Sequence, residues 1–194
     1  MRLPRSATTW VRTLTGREHA DDDTAPAAYL TEEAKRDVDV WQAALYDPVT
    51  GLPERALLLD RIALALARAR RQKSEVAVLL LAIDKLDHEH ADRLLREFAE
   101  RTLNAIRDTD TAARFGAAEF AVLCDGVTDR DTLMIVAGRI ASALSKPFAV
   151  RGGAIELDVG MEVLLVNGET PPLALLDMAE QAIATTRARR TMEG

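Results

Sequence analysis

The sequence predicts an α/β fold, an α+β sandwich in which helices flank a mixed sheet. Residues 76–83 form an unbroken aliphatic run of strand length, which is typical of a central strand buried on both faces. Apolar residues recur at helical spacing before and after that run, which indicates amphipathic helices. Two short apolar segments, 111–115 and 119–124, flank the turn Gly116-Ala117-Ala118 and predict a hairpin.

The remaining elements follow from apolar periodicity and from the turn formers between the periodic segments. Helices are expected over 53–72, 91–107 and 130–144, with a last helix that follows Pro171-Pro172 and ends near Arg190. Strands are expected over 76–83, 111–115, 119–124, 148–150 and 154–165.

The N-terminal residues predict two further segments. Residues 1–30 mix Arg, Thr, Asp and Pro, and we interpret them as a mobile arm. Thr31, followed by two glutamates, is typical of the start of a helix, so a connecting helix is expected over 31–45. The globular domain is predicted over 46–190.

Composition excludes several classes of protein. The chain has 194 residues, of which 48% are hydrophobic and 29% charged, which excludes disorder of the whole chain. Its net charge of -6 and its 4% of aromatic residues argue against binding to nucleic-acid polymers. The single cysteine, Cys124, lies in an apolar run and is interpreted as a buried small hydrophobe. Since no apolar stretch approaches the length of a membrane span or a signal peptide, we expect a cytoplasmic protein without membrane insertion.

Four stretches of the sequence resemble motifs of the GGDEF domains of diguanylate cyclases. They are Asp47-Pro48-Val49-Thr50-Gly51-Leu52-Pro53 beside D-x-L-T-G-L-P, Arg107-Asp108-Thr109-Asp110 beside R-x-x-D, Gly116-Ala117-Ala118-Glu119-Phe120 in place of GGDEF, and Leu176 to Arg187 beside the closing A-D-x-A-hydrophobic-x-x-A-K helix. In the last stretch, Glu180 and Arg187 take the acidic and the basic positions. The resemblance runs from about Tyr46 to Arg190 and implies a nucleotide-cyclase palm-like fold.

The resemblance also implies where a catalytic site would lie, and the chain departs from the family there. Family cyclases join two GTP molecules into cyclic di-GMP with magnesium ions, which need carboxylate ligands. The two metal-binding carboxylates are replaced by Ala82 and Ala118, and the second hairpin glycine is Ala117. The Asn that reads guanine has no counterpart, although Asp92 matches the other guanine-contacting acid. We therefore expect no catalytic residues, no resident metal and no cofactor.

A second family site does match the sequence. Family members that bind cyclic di-GMP away from the active centre use an R-x-x-D motif five residues before the hairpin, together with an arginine from the next helix. Arg107, Asp110 and Arg139 stand at those positions, which makes them the candidate ligand-binding residues. An arginine can bond O6 and N7 of guanine or bridge phosphates, and an aspartate can accept from guanine N1 and N2.

Simpler interpretations of the same residues stay open. Arg107 and Asp110 could form a local ion pair at a helix end, worth roughly a few tenths of a kcal/mol, and Arg139 could be a solvated side chain. A charged stretch before the second helix contains side chains of metal-binding type, but no recognised metal spacing fits it, and we interpret it as a charged turn. Its members are Asp84, Asp87, His88, Glu89 and His90.

Three hypotheses for function follow. In the first, a catalytically inactive GGDEF domain is a receptor for cyclic di-GMP and signals through an unknown protein partner, contacted by residues 1–45. In the second, the same fold is a ligand-free docking or dimerisation module, and a homodimer is possible. The third, residual activity on another nucleotide, requires phosphate groups to tolerate Ala117 and metals to find new ligands.

Overall fold

The computed structural model describes residues 45–86, 89–124, 126 and 130–193. The compact unit to which they belong begins at Leu45. The predicted arm, 1–30, and the predicted connecting helix up to residue 44 lie outside the described residues. Within the described ranges, every helix is too short or too polar to cross a membrane.

Four helices and six strands follow one another along the described chain. They are α1 (Arg55–Gln72), β1 (Glu75–Ile83), α2 (Ala91–Ala105), β2 (Thr111–Arg114), β3 (Glu119–Cys124), α3 (Arg130–Leu144), β4 (Phe148–Val150), β5 (Gly153–Ile155), β6 (Val159–Asn167) and α4 (Pro172–Glu193).

The main sheet has four strands in the order β2-β3-β1-β6. All three pairings are antiparallel, whereas the sequence predicted a mixed sheet. The physical reason lies in the connectivity, because β3 inserts between β1 and β2. Helix α2 therefore connects two strands that run in the same direction but are not neighbours, as in a split βαβ unit.

Strand β1 separates two apolar cores, as its unbroken aliphatic run predicts. Alternate residues, Ala77 to Ile83, face one core with α2 and α3. The intervening residues, Val76 to Ala82, face a second core with α1 and α4. Two helices on each face of one sheet confirm the predicted α/β sandwich.

The predicted strand 154–165 is in fact two strands in different sheets. Strand β5 pairs with β4 in a two-stranded hairpin, and β6 pairs with β1 in the main sheet. Residues 156–158 lie between them outside any strand. The change of sheet occurs at Asp158, whose carbonyl oxygen accepts the Asp84 N–H at 3.0 Å where β6 joins β1.

Helix α1 begins at Arg55 and not at Pro53 as predicted. Pro53 forms a bridge with Tyr46, and its carbonyl oxygen accepts the Arg114 N–H at 2.9 Å. These contacts hold the residue in extended pairing with β2, so the helix starts two residues later.

Candidate functional site

The R-x-x-D motif forms a closed turn directly after α2. The backbone N–H of Arg107 donates to Oδ2 of Asp110, and the Asp110 N–H donates to the Arg107 carbonyl, both at 3.0 Å. The predicted helix 91–107 therefore ends at Ala105, because the Asp110 carboxylate offers the backbone an alternative to the next helical bond. The side chain of Arg107 is left exposed at the end of the helix.

Arg139 lies on α3, where it lines an open groove between α2 and α3 with a volume of about 720 Å³. Asn104 and Ala105, in the last turn of α2, line the same groove. That turn ends two residues before Arg107. The fold thus brings the arginine of α3 to the end of α2 that carries the R-x-x-D turn.

The charges of all three candidate residues act on one buried group, the thiol of Cys124. Burial is the main cause that raises the pKa of Cys124 to about 12; Asp110 raises it further, whereas Arg107 and Arg139 lower it. All three charges are therefore near enough to Cys124, the last residue of β3, to influence its thiol. Their role in binding a ligand stays a prediction.

The same values support the interpretation of Cys124 as a buried small hydrophobe. The residue is 1% exposed and packs in the core beneath α2 and α3. Because its pKa lies far above neutrality, the thiol stays protonated and lacks the thiolate that a nucleophile requires.

The two positions that the resemblance assigns to metal-binding carboxylates lie at the end of β1 and in the hairpin between β2 and β3. Ala82 is 2% exposed within the core, and Ala118 is 8% exposed with its carbonyl oxygen accepting the Ile83 N–H at 3.0 Å. Both side chains are methyl groups without an oxygen ligand, so the residues present do not fit a magnesium site of that kind.

Glu119 and Arg187, at two motif positions of the resemblance, form an ion pair between β3 and α4. A Cβ atom on Gly116 would collide with the Glu119 side chain. The first hairpin glycine therefore leaves space for this ion pair.

The charged stretch 84–90 is only partly described, because Asp87 and His88 lie outside the described residues. Among the residues that are described, no group of three or more His, Cys, Asp or Glu side chains is placed to hold a metal ion.

Arg114 is a structural residue that the sequence interpretation missed. Its Nη1 donates to Oδ1 of Asp47 at 2.9 Å, its Nε donates to the Gly116 carbonyl at 3.2 Å, and its Nη2 donates to the Ala117 carbonyl. The guanidinium thereby joins the turn before α1 to the hairpin after β2. The one available signal was a single arginine in the otherwise apolar and small strand Thr111–Arg114.

Asp47 is the acidic partner of Arg114, and we call this ion pair with its backbone contacts the clamp. Its Oδ2 accepts the Thr50 N–H at 2.7 Å and the Thr50 hydroxyl at 2.6 Å, and Gly51 adopts φ 70° to close the turn. Burial raises the pKa of Asp47, but the bonds from Thr50 and Arg114 outweigh it and lower the pKa below its ordinary value of 3.8. The carboxylate is therefore bound in its charged form.

We expect Asp47→Asn to destabilise the protein by about 2 kcal/mol at neutral pH, since bonds to a charged acceptor are lost. A carboxylate with a lowered pKa stabilises the folded state above its ordinary pKa and loses that effect as the pH falls through the lowered value. The difference in unfolding free energy between wild type and variant should therefore shrink below about pH 4. Urea unfolding at stepwise lower pH measures it.

Asp60→Asn is the matched control, since it removes the same charge from an exposed residue of α1. An Asp47→Asn variant that is as stable at neutral pH as Asp60→Asn would contradict the role assigned to the buried carboxylate.

The sequence of this chain is similar to those of known proteins. The family model of the diguanylate cyclase GGDEF domain matches residues 44–193. MucR of Pseudomonas aeruginosa, a bifunctional diguanylate cyclase/cyclic di-GMP phosphodiesterase, is 30% identical over 146 residues, which are 72% of this chain and 21% of MucR. The diguanylate cyclase DgcP of the same organism is 29% identical over 159 residues, which are 78% of this chain and 23% of DgcP. The chain thus spans about a fifth to a quarter of the length of these two relatives.

Solved structures agree with the sequence relatives. The GGDEF domain of TpbB from Pseudomonas aeruginosa superposes with a TM-score of 0.67 at 27% identity, over 74% of this chain and 89% of that one. The GGDEF domain of DgcB from Caulobacter crescentus, solved in complex with c-di-GMP, superposes with a TM-score of 0.66 over 75% of this chain and 88% of that one, and at 18% identity it shows the fold alone. A family match over most of the chain, the shared fold and the motif positions together establish that this chain belongs to the GGDEF family and is related to diguanylate cyclases.

Proposed function

We propose that this chain is a catalytically inactive GGDEF domain that binds cyclic di-GMP through Arg107, Asp110 and Arg139 and signals through contacts with another protein. The observation that carries the proposal is the convergence of these residues. Arg139 lines a groove that reaches the last turn of α2, and the closed turn with Arg107 and Asp110 follows that helix directly.

The chemistry of the three side chains suits a guanine dinucleotide. Arg107 and Arg139 are both exposed, so their guanidinium groups are accessible to bond a guanine edge or a phosphate. Asp110 supplies an acceptor for the N1–H and N2–H donors of guanine. Adenine has no donors at these two positions. A local arginine-rich site also explains how a chain with a net charge of -6 can bind an anion.

The proposed inactivity rests on two alanines, one at the end of β1 and one in the hairpin before β3. Phosphoryl transfer from GTP needs metal ions held by carboxylates, and Ala82 and Ala118 supply none. Incubation of the purified protein with GTP and magnesium, followed by mass spectrometry, should yield no cyclic dinucleotide. Formation of cyclic di-GMP above a no-enzyme blank would overturn this part of the proposal.

Calorimetric titration with cyclic di-GMP tests the binding site. We expect the wild type to bind, and Arg107→Ala to weaken binding roughly tenfold to a hundredfold, because charge-assisted bonds of this kind contribute about 1.5–3 kcal/mol. Arg96→Ala is the matched control, since it removes an exposed arginine of α2, the helix before the motif, that does not line the groove. Cyclic di-AMP, which carries the same phosphates but no guanine, should bind weakly or not at all.

Two outcomes would contradict the proposed binding site. Absence of binding by the wild type would favour a ligand-free docking module with the same fold. Equal affinities of Arg107→Ala and Arg96→Ala would show that the R-x-x-D turn does not contact the ligand.

A further inference from the structure

The groove between α2 and α3 extends well beyond Arg139. On the α3 side it is lined by Ile135, Gly138, Arg139 and Ser142, and it ends at Lys146, just after the helix. Lys146 follows Arg139 by seven positions, and the five that lie within α3 alone span about 7.5 Å at a helical rise of 1.5 Å per residue. Its volume of about 720 Å³ lies within the range of small-molecule sites.

The charges that line this groove all have one sign. Arg101, Arg139 and Lys146 line it, and no carboxylate does, although Arg101 is compensated by an ion pair with Glu97 at 2.6 Å. Arg139 and Lys146 are exposed, and neither side chain forms an ion pair with another residue of the described ranges. An acid-free groove with two such cations, in a chain of net charge -6, favours an anionic occupant.

Arg101 satisfies backbone carbonyl oxygens at the far end of the groove. The C-terminus of α3 presents carbonyl oxygens, which repel negative charge. The Arg101 guanidinium donates to the carbonyl oxygens of Ala143, Lys146 and Pro147, and it lies 3.8 Å from the centre of the Phe148 ring. Arg101 is itself paired with Glu97, so it adds little net charge, but it satisfies one carbonyl oxygen of the last turn of α3 and two that follow the helix. Lys146 is then the exposed cation at this end of the groove.

We infer that the dinucleotide extends from Arg107 and Arg139 along the α2–α3 groove, so that Lys146 binds the second of its two phosphates. This inference rests on the proposed function and adds a residue that determines specificity. A ligand with a single phosphodiester can reach the first end only. Lys146 therefore favours a cyclic dinucleotide over 3′,5′-cyclic GMP, which has one guanosine and one phosphodiester group.

Calorimetry with cyclic di-GMP and with 3′,5′-cyclic GMP tests this role. We expect Lys146→Ala to weaken binding of cyclic di-GMP roughly tenfold and to leave binding of 3′,5′-cyclic GMP unchanged, because one charge-assisted contact is lost from the dinucleotide alone. Lys146→Arg, which keeps the charge, should restore most of the affinity. Arg96→Ala, with the same loss of charge outside the groove, should bind like the wild type.

The outcomes separate this inference from the proposed function. If the wild type binds cyclic di-GMP and Lys146→Ala binds it as tightly as Arg96→Ala, the extended contact is overturned and the proposed site stands. If Lys146→Ala weakens both ligands equally, Lys146 acts as a general attractive charge and not on the second phosphate. Absence of binding by the wild type overturns both proposals.

Discussion

Arg114→Met should destabilise the folded protein by about 3 kcal/mol, because removal of one partner from a largely buried ion pair leaves the other charge uncompensated. The side chains of Arg114 and Asp47 are only 14% and 11% exposed. The substitution also removes the hydrogen bonds that Arg114 donates to the carbonyl oxygens of Gly116 and Ala117. Chemical denaturation at neutral pH measures the loss, and Arg71→Met, at an exposed residue of α1, provides the control.

A double-mutant cycle shows whether the loss comes from the clamp. Asp47→Asn and Arg114→Met remove the two partners of one contact, so their effects on the free energy of unfolding should not add. The loss of stability in the double variant should be smaller than the sum of the two single losses by about 1 kcal/mol or more. Strict additivity would show that Arg114 stabilises the hairpin alone, without coupling to the turn before α1.

The elements that could be predicted from sequence are those that depend on local patterning. The aliphatic run of β1 could be recognised because a strand buried on both faces needs apolar residues at every position. The hairpin of β2 and β3 was marked by its turn. By contrast, the predicted strand 154–165 divides into β5 and β6 around residues 156–158. Leu157 continues the apolar pattern across this break, so the periodicity could not reveal that the chain changes sheet there.

In the candidate site, too, local contacts could be predicted from the sequence and long-range contacts could not. The spacing of Arg107 and Asp110 is local, and the structure folds those four residues into one hydrogen-bonded turn. The clamp of Arg114 and Asp47 joins residues that are 67 positions apart, and Lys146 enters the groove only because two helices pack side by side. Contacts of this kind depend on tertiary packing, which single-sequence patterns do not encode.

Gly168→Ala should cost about 3 kcal/mol or more of stability, because the added methyl group has no space. Gly168 is buried in the turn between β6 and α4. A Cβ atom there would lie 2.6 Å from the Cα atom of Arg70 and closer still to its backbone nitrogen. Since Arg70 belongs to the last turn of α1, the obstacle is helical backbone, which cannot rotate away as a side chain can.

Gly138→Ala provides the opposite case within the same chain. Gly138 lies in the middle of α3, and nothing stands within 4 Å of an added Cβ. Alanine favours the helix over glycine by about 0.5–1 kcal/mol, so this variant should be slightly more stable than the wild type. Thermal unfolding of both variants distinguishes steric exclusion from the conformational preference of glycine. If Gly168→Ala unfolds at the temperature of Gly138→Ala, α1 does not pack as tightly against this turn as the structure describes. A large loss of stability confined to Gly168→Ala would instead show that the end of α1 packs closely against the turn before α4.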